Sequence, residues 1–310
     1  MRNYRKQREE YRKMGNGYYH FCTDGWKAGN IFNTVGQYAY GMILIGLITL
    51  LYGVKVYEFI LMPNHIHIIM SGSGDSIVDA FIYLKRKLNL RLSSDGYMML
   101  PEGYGFKMIP ITSPEQMRDA IIYINRNAYE KQIATPGGYP WCSGWLHYSL
   151  FSKYIRGKKA GEMNRLEIEK LTGRRIELPP TWEFHPTFGL LPQSFVDIHF
   201  MYQLFKGPKD YFTHLVKDYE SIVSIARSLD EDLEYDNVEL QDILTTILRA
   251  DYQGRPVCKL SGTEKGRLTV TMSYKYNVLP EKIAEVLKLD LHLVNQFLRA
   301  KDYGNNKHIK

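Results

Sequence analysis

Residues 38–54, YAYGMILIGLITLLYGV, carry no charged side chain, and they run straight into KVYEFILMPNHIHIIM, residues 55–70. A continuous apolar segment of this length has to be covered, so the rest of the chain must pack around it. The uncharged part is shorter than the roughly 20 apolar residues that a spanning helix needs. It continues into a stretch of strand character with polar inserts, so a buried helix over 31–51 is expected and no membrane partner. Gly53 can end that helix. VKVYEFILM (54–62) then reads as a strand, Pro63-Asn64 interrupt it, and HIHIIMSG (65–72) reads as a second strand.

The flanking elements follow the same logic. YYHFCT (18–23) has the aromatic and β-branched content of a strand. After Gly72-Ser73-Gly74, Asp75 or Ser76 can cap a helix over IVDAFIYLKRKLNLRLSS (77–94), whose Ile77, Phe81, Leu84, Leu88 and Leu92 lie near helical spacing. FKMIPI (106–111) is a further strand, and Ser113-Pro114-Glu115-Gln116 starts a helix that runs toward Pro136-Gly137-Gly138. The order is βαββαβ with one extra helix. That predicts an α+β fold, a ferredoxin-like or RRM-like antiparallel sheet with helices on one face, followed by a mainly helical C-terminal region.

Composition divides the chain further. Residues 1–16 read as a basic tail or surface helix, 17–150 as the α+β domain, 151–192 as a basic and proline-rich connector, and 193–310 as mainly helical. Within the last part, 218–242 is acidic, and 264–301 resembles a helix-turn-helix. There Pro280 starts a short helix, KLDL makes the turn, and HLVNQFLRAK is the candidate recognition helix. An ordinary helical hairpin accounts for the same pattern.

The formal net charge of +7 and the 24 tyrosines suit a polyanionic partner with bases to stack, although tyrosine also serves as a packing residue with a wet hydroxyl. The three cysteines, Cys22, Cys142 and Cys258, are far apart, which argues against a zinc knuckle or a redox pair and for a reducing compartment. The basic N-terminus has no apolar segment of the secretory type behind it, so a cytoplasmic location is expected, nucleoid-associated when bound to DNA.

In a strand, His65 and His67 project to one side and Ile66 and Ile68 to the other. Imidazoles two residues apart, about 7 Å at Cα, can grip one metal ion. Taken alone the pattern is weak, and two polar residues on an open sheet face explain it better. Tyr123 and Asn127, four residues apart, share a helix face. If that helix crosses the histidine face, a phenol and an amide oxygen meet the imidazoles. Such a site, open to water and phosphate oxygens, suits Mg²⁺ or Mn²⁺ better than a closed zinc site does.

YYHFCTDG, VYEFILMPNHIHIIM, FKMIPI, AIIYINRN and YPWCS stand in the order found in single-tyrosine HUH transposases. Over residues 17–150 the chain resembles the REP-associated tyrosine transposases of the IS200-like superfamily most. This chain has Asn125 where the family often has His, Ala128 for the proline after the asparagine, and Cys142 for a serine. The resemblance implies an HUH endonuclease domain, with His65 and His67 as the metal pair, Asn127 as third ligand and Tyr123 as nucleophile. It implies a metal-dependent transposase or nickase that transesterifies single-stranded or hairpin DNA through a 5′-phosphotyrosine, as a monomer or homodimer. A domesticated protein that holds hairpin DNA without cutting is the alternative.

Candidate phosphate contacts are Lys85, Arg86, Lys87 and Arg91 on the second helix, Lys107 on a strand, Arg126 and Lys131 on the tyrosine helix, and Lys153, Arg156, Lys158 and Lys159 beyond the domain. Solvated helix ends and a soluble linker explain the same residues. Tyr139 and Trp141 either stack a base or pack the closing segment of the domain.

Overall fold

The computed structural model describes residues 4–23, 25, 29–130, 134, 138–148, 152, 154–215, 237–276 and 278–305. The chain divides into two compact units, Met1–Val216 and Lys217–Lys310.

The first unit opens with α1 (Tyr4–Arg12), followed by β1 (Gly17–Thr23), α2 (Val35–Tyr52), β2 (Lys55–Leu61), β3 (Ile66–Gly72), α3 (Gly74–Ser94), β4 (Phe106–Ile111) and α4 (Pro114–Glu130). The strands form an antiparallel sheet in the order β2-β3-β1-β4. The α+β architecture expected from the pattern of elements is therefore present, and α1 is the helical form of the basic N-terminal segment. Arg12 of α1 ties down to Asp75 and Asp79 of α3 at 2.7 and 2.6 Å.

Strand alternation gives the sheet two unlike faces. Phe21, Phe59, Leu61, Ile66, Ile68 and Met108 are buried residues of one face. Phe81 of α3 packs there, with its ring centroid 6.0 Å from Phe21 and 4.4 Å from Phe106. α2 lies beside α3 and against β2. Full burial of each such side chain contributes on the order of 1.5–3 kcal/mol. The expectation of helices on one face holds for α2 and α3, while α4 covers the other face.

Among the described residues, α2 is the helix with the length and apolarity of a membrane span, and 50% of it is buried inside the protein. Thr34 caps it, accepting from the Gln37 amide at 3.2 Å, and Gly53 ends it in a left-handed conformation, φ 64°. Gly41 and Gly46 let it approach closely: a Cβ at Gly41 would sit 2.8 Å from Leu61, and one at Gly46 2.2 Å from Leu190.

Beyond α4, residues 139–143 pair with β2. Leu61 N–H donates to Trp141 O at 2.9 Å, Ser143 N–H donates to Phe59 O at 3.0 Å, and Ile60 bridges Cys142. Then come β5 (Lys158–Lys159), α5 (Arg165–Thr172), β6 (Glu183–His185), β7 (Gly189–Leu190), α6 (Ile198–Leu204) and α7 (Pro208–Leu215). The strands β5, β6 and β7 make a small second sheet within the segment read as a connector. Sequence composition grouped α6 and α7 with the helical C-terminal part, yet both belong to the first unit. Asp197 N–H donates to Val56 O at 3.0 Å, Phe200 stacks on Tyr18 at 5.6 Å, and α7 packs on α4.

The second unit contains α8 (Asn237–Tyr252), α9 (Gly262–Tyr276), α10 (Pro280–Leu287) and α11 (Leu291–Asn305). The acidic cluster Asp230, Glu231, Asp232, Glu234 and Asp236 lies outside the described residues, as do Lys131 and Lys153.

Candidate functional site

The face beneath α4 is built from two rows that cross the sheet. One runs Ile60, His67, Cys22, Lys107, and its neighbour runs Glu58, Ile69, His20, Ile109. Cross-strand pairing thus sets His67 beside Cys22 and brings His20 to the same face.

His67 is 1% exposed and His20 0%. Their rings stack at 5.2 Å, and His20 Nε2 lies 3.1 Å from His67 Nδ1. His67 Nε2 has the thiol of Cys22 at 4.0 Å, a weak contact. Burial pushes His67 well below the usual imidazole range, with the charges of His65 and His20 acting the same way. His20 is pushed down to about 3 by burial and then by the nearby Lys107 ammonium. Both rings are therefore neutral at pH 7, the form in which an imidazole ligates a metal.

His65 stands one residue before β3, where the sequence pattern had put it inside the strand. Its carbonyl accepts from Met62 N–H at 2.9 Å, so it belongs to the turn that Pro63 and Asn64 make. The ring nevertheless meets His67 edge-on, with centroids 4.7 Å apart, and its Nδ1 lies 2.7 Å from Asn64 Oδ1. The backbone at Gly25 closes over it, since a Cβ there would lie 3.0 Å from His65 Cβ.

α4 starts where the sequence puts it. Ser113 Oγ accepts from Gln116 N–H at 3.2 Å, and Gln116 Oε1 reaches back to Thr112 N–H at 2.8 Å. Ala120, Ile121 and Ile124 are wholly buried and hold the helix on the sheet. Tyr123 then faces the histidines, its ring 5.6 Å from His67 and 6.3 Å from His20, edge-on to both. Asn127 is half-buried, and its amide nitrogen donates to Tyr123 O at 2.9 Å. Among the described residues, no group of three or more His, Cys, Asp or Glu is arranged to hold a metal ion. The imidazoles that the fold gathers beside Tyr123 are those of His65 and His67, an open pair of the kind that oxygen ligands would complete.

The candidate phosphate contacts separate by face. Lys107 is half-buried on the histidine face, and Arg126 is buried on α4. The α3 cations belong to the helix on the opposite face. Lys85 donates to Glu102 O and Tyr104 O at 2.8 and 2.9 Å, Lys87 to Gly173 O at 3.3 Å, and Arg91 pairs with Asp95 at 2.8 Å. Arg86 is exposed, over the Tyr83 ring at 5.9 Å. Arg156 is exposed and donates to Ile155 O at 2.8 Å, Lys158 pairs with Glu167 at 2.9 Å, and Lys159 is exposed. Tyr139 and Trp141 are packing residues here: the Tyr139 hydroxyl donates to Leu61 O at 2.8 Å, and Trp141 stacks on Tyr38 at 4.9 Å.

Sequence reasoning missed His20 and Cys22, although their alternation with Phe21 was visible in YYHFCT. It also missed a buried carboxylate on the same face. Glu58 Oε2 lies 2.7 Å from His147 Nε2, Ser143 Oγ donates to Glu58 Oε1, and neither the Glu58 nor the His147 side chain is solvent-exposed, 0% each.

No family model and no curated protein matches this chain. Among solved structures it is similar to a REP-associated tyrosine transposase bound to a REP hairpin, at 14% identity and a TM-score of 0.34, over 43% of this chain and 79% of that one. That likeness concerns the fold alone.

Proposed function

We propose that the first unit cuts and rejoins single-stranded DNA beside hairpins by the chemistry of single-tyrosine HUH transposases. The observation that carries this reading is the convergence of His65, His67 and the Tyr123 ring on one sheet face. Asn127 sits one helical turn from Tyr123 and offers an amide oxygen.

Tyr123 Oη attacks phosphorus, forming the phosphotyrosine bond as the bond from phosphorus to the 3′ oxygen breaks. The products are a 5′-phosphotyrosine and a free 3′-OH that takes up the proton lost by the phenol. A phenol titrates near about 10, so the attack at neutral pH needs a held, oriented nucleophile. A divalent ion, Mg²⁺ or Mn²⁺, held by His65, His67 and Asn127 would supply Lewis acidity at the scissile phosphate. The covalent bond keeps the energy of a phosphodiester, and attack by another 3′-OH reseals the strand. Lys107 on the histidine face and Arg126 on the helix of Tyr123 are the proposed phosphate contacts at this chemistry, and the cations of α3 would meet DNA away from it.

The second reading, a protein that grips hairpin DNA without cutting, draws on the burial of Tyr123, 5% exposed, and of His67, 1% exposed. Labelled hairpin-flanked oligonucleotides incubated with the protein and Mn²⁺ separate the two. A covalent adduct that Tyr123→Phe abolishes, with binding retained, supports cleavage. Binding across several substrates with no adduct from the wild-type chain supports the binder.

A further inference from the structure

We infer that the second unit is a helix-turn-helix reader of duplex DNA, with α11 as the helix that enters the major groove. This is a separate function from the chemistry of the first unit and does not depend on it.

The local geometry starts at the end of α10. Lys288 adopts a left-handed conformation, φ 52° and ψ 46°, and its N–H bonds back to Ala284 O and Glu285 O. Leu289 N–H donates to Ala284 O at 3.0 Å, and Asp290 Oδ1 caps α11 by accepting from His292 N–H at 2.8 Å. Lys288, Leu289 and Asp290 are the whole connection, which is the short turn such motifs use. Across it, Ile283, Leu287 and Val294 are buried at 0%, 4% and 0% exposure. Ala284 is the small residue beneath the turn. α9 closes the core, and its Gly266 allows close approach to Phe297, since a Cβ there would lie 3.1 Å from that ring. α11 is thus fixed along the side that carries Val294 and Phe297.

The other side carries the inference. His292, Asn295, Gln296 and Arg299 recur at i, i+3, i+4 and i+7, so they form one stripe opposite Val294. His292, Gln296 and Arg299 are exposed and Asn295 is half-buried. These four residues include no carboxylate, and the first turn of α11 has no acidic residue. Exposed cations bracket it, Lys288 in the turn and Arg299 at its far end. Gln296 Nε2 lies 3.0 Å from His292 Nε2, which orients both side chains. Asparagine and glutamine can pair bidentately with adenine N6 and N7, and arginine with guanine O6 and N7. Single strands would need rings to stack their bases, and His292, Asn295, Gln296 and Arg299 include no Phe, Tyr or Trp. A helix lined with amides, an imidazole and a guanidinium matches the edge pattern of a major groove.

Selection of full-length protein on a pool of random double-stranded oligonucleotides tests this. A short duplex motif should be enriched, and Tyr123→Phe should enrich the same motif, because the two functions are independent. Gln296→Ala and Arg299→Ala should each weaken binding to that motif by roughly 5- to 150-fold and relax preference at one base pair. Gln296→Glu keeps the size of the side chain and adds a charge that repels base acceptors, so it should lose binding with an unchanged melting temperature. An unenriched pool, as expected of a helix face that serves a protein partner, overturns the inference. So does equal binding of the selected duplex by the wild type and a folded Gln296→Ala/Arg299→Ala chain.

Discussion

His20 and His67 sit on neighbouring strands with Nε2 of one 3.1 Å from Nδ1 of the other, both closed off from water. Two neutral imidazoles can share a hydrogen bond only when one donates and the other accepts. With Nδ1 of His67 engaged by His20, Nε2 faces the Cys22 thiol at 4.0 Å and is the nitrogen that the proposed cation would take. His20 therefore fixes the orientation of the His67 ring, the role that the partner of a metal-bound histidine would have under the proposed function.

The same burial makes stability depend on pH. In the unfolded chain both histidines titrate near about 6.5. In the fold, His20 is pushed down to about 3 and His67 well below its ordinary value. Between these values the unfolded state binds more protons, so stability falls as pH drops below about 6.5, by about 1.4 kcal/mol per pH unit for each such group. Thermal melting of the chelator-treated protein from pH 7 to pH 4 should show this loss. His20→Gln, whose amide can keep a bond to Nδ1 without titrating, should flatten the curve. Parallel curves for the two proteins would mean that His20 takes up its proton within the fold.

Much of this site was legible in the sequence, and the boundary has a physical cause. Period-two alternation put His65 and His67 on one side, and four-residue spacing put Tyr123 and Asn127 on one helix face. Both are local rules. The turn shifted His65 out of the strand without separating the rings, 4.7 Å apart at their centroids. His20 and Cys22 enter the site only through the register of β1 against β3, and Glu58 meets His147 across 89 residues. Neither relation leaves a local trace. The cations of α3 follow the same lesson: they come soon after the histidine motif in sequence, yet they lie across the sheet from His67.

A glycine holds α4 in register with the closing segment. Gly144 does not need a positive φ, so its backbone would accept alanine; the space would not. A Cβ there would lie 2.0 Å from Asn125 Oδ1, two residues from Tyr123. Asn125 is 7% exposed, and neither end of its amide has a partner. Gly144→Ala should force α4 outward and destabilise the protein by about 1–3 kcal/mol, the usual cost of overpacking. Asn125→Ala combined with Gly144→Ala should recover most of the loss. Urea denaturation of the two single variants and the double variant measures the coupling. Additive effects would mean that the two sites do not press on each other.

Glu58 and His147 make the sharper energetic test, because every polar atom of a wholly buried carboxylate must be answered. Glu58 takes His147 Nε2 at 2.7 Å, the Ser143 hydroxyl, and Phe59 N–H at 3.3 Å. Tyr211 of α7 packs on the other side of His147, with ring centroids 6.3 Å apart. This cluster pins the closing segment and α7 against β2, beside the row that carries His67. Removing His147 leaves a buried Glu58 oxygen without its hydrogen-bond partner, so His147→Ala should cost about 1–3 kcal/mol. Replacing both, Glu58→Leu with His147→Leu, exchanges the buried hydrogen-bonded pair for apolar packing and should recover most of that loss, since removing both partners leaves no polar group unsatisfied. Chemical denaturation gives the comparison. A His147→Ala chain as stable as the wild type would show that water reaches Glu58. A double variant less stable than His147→Ala would show that the pair stabilises the fold through its own attraction.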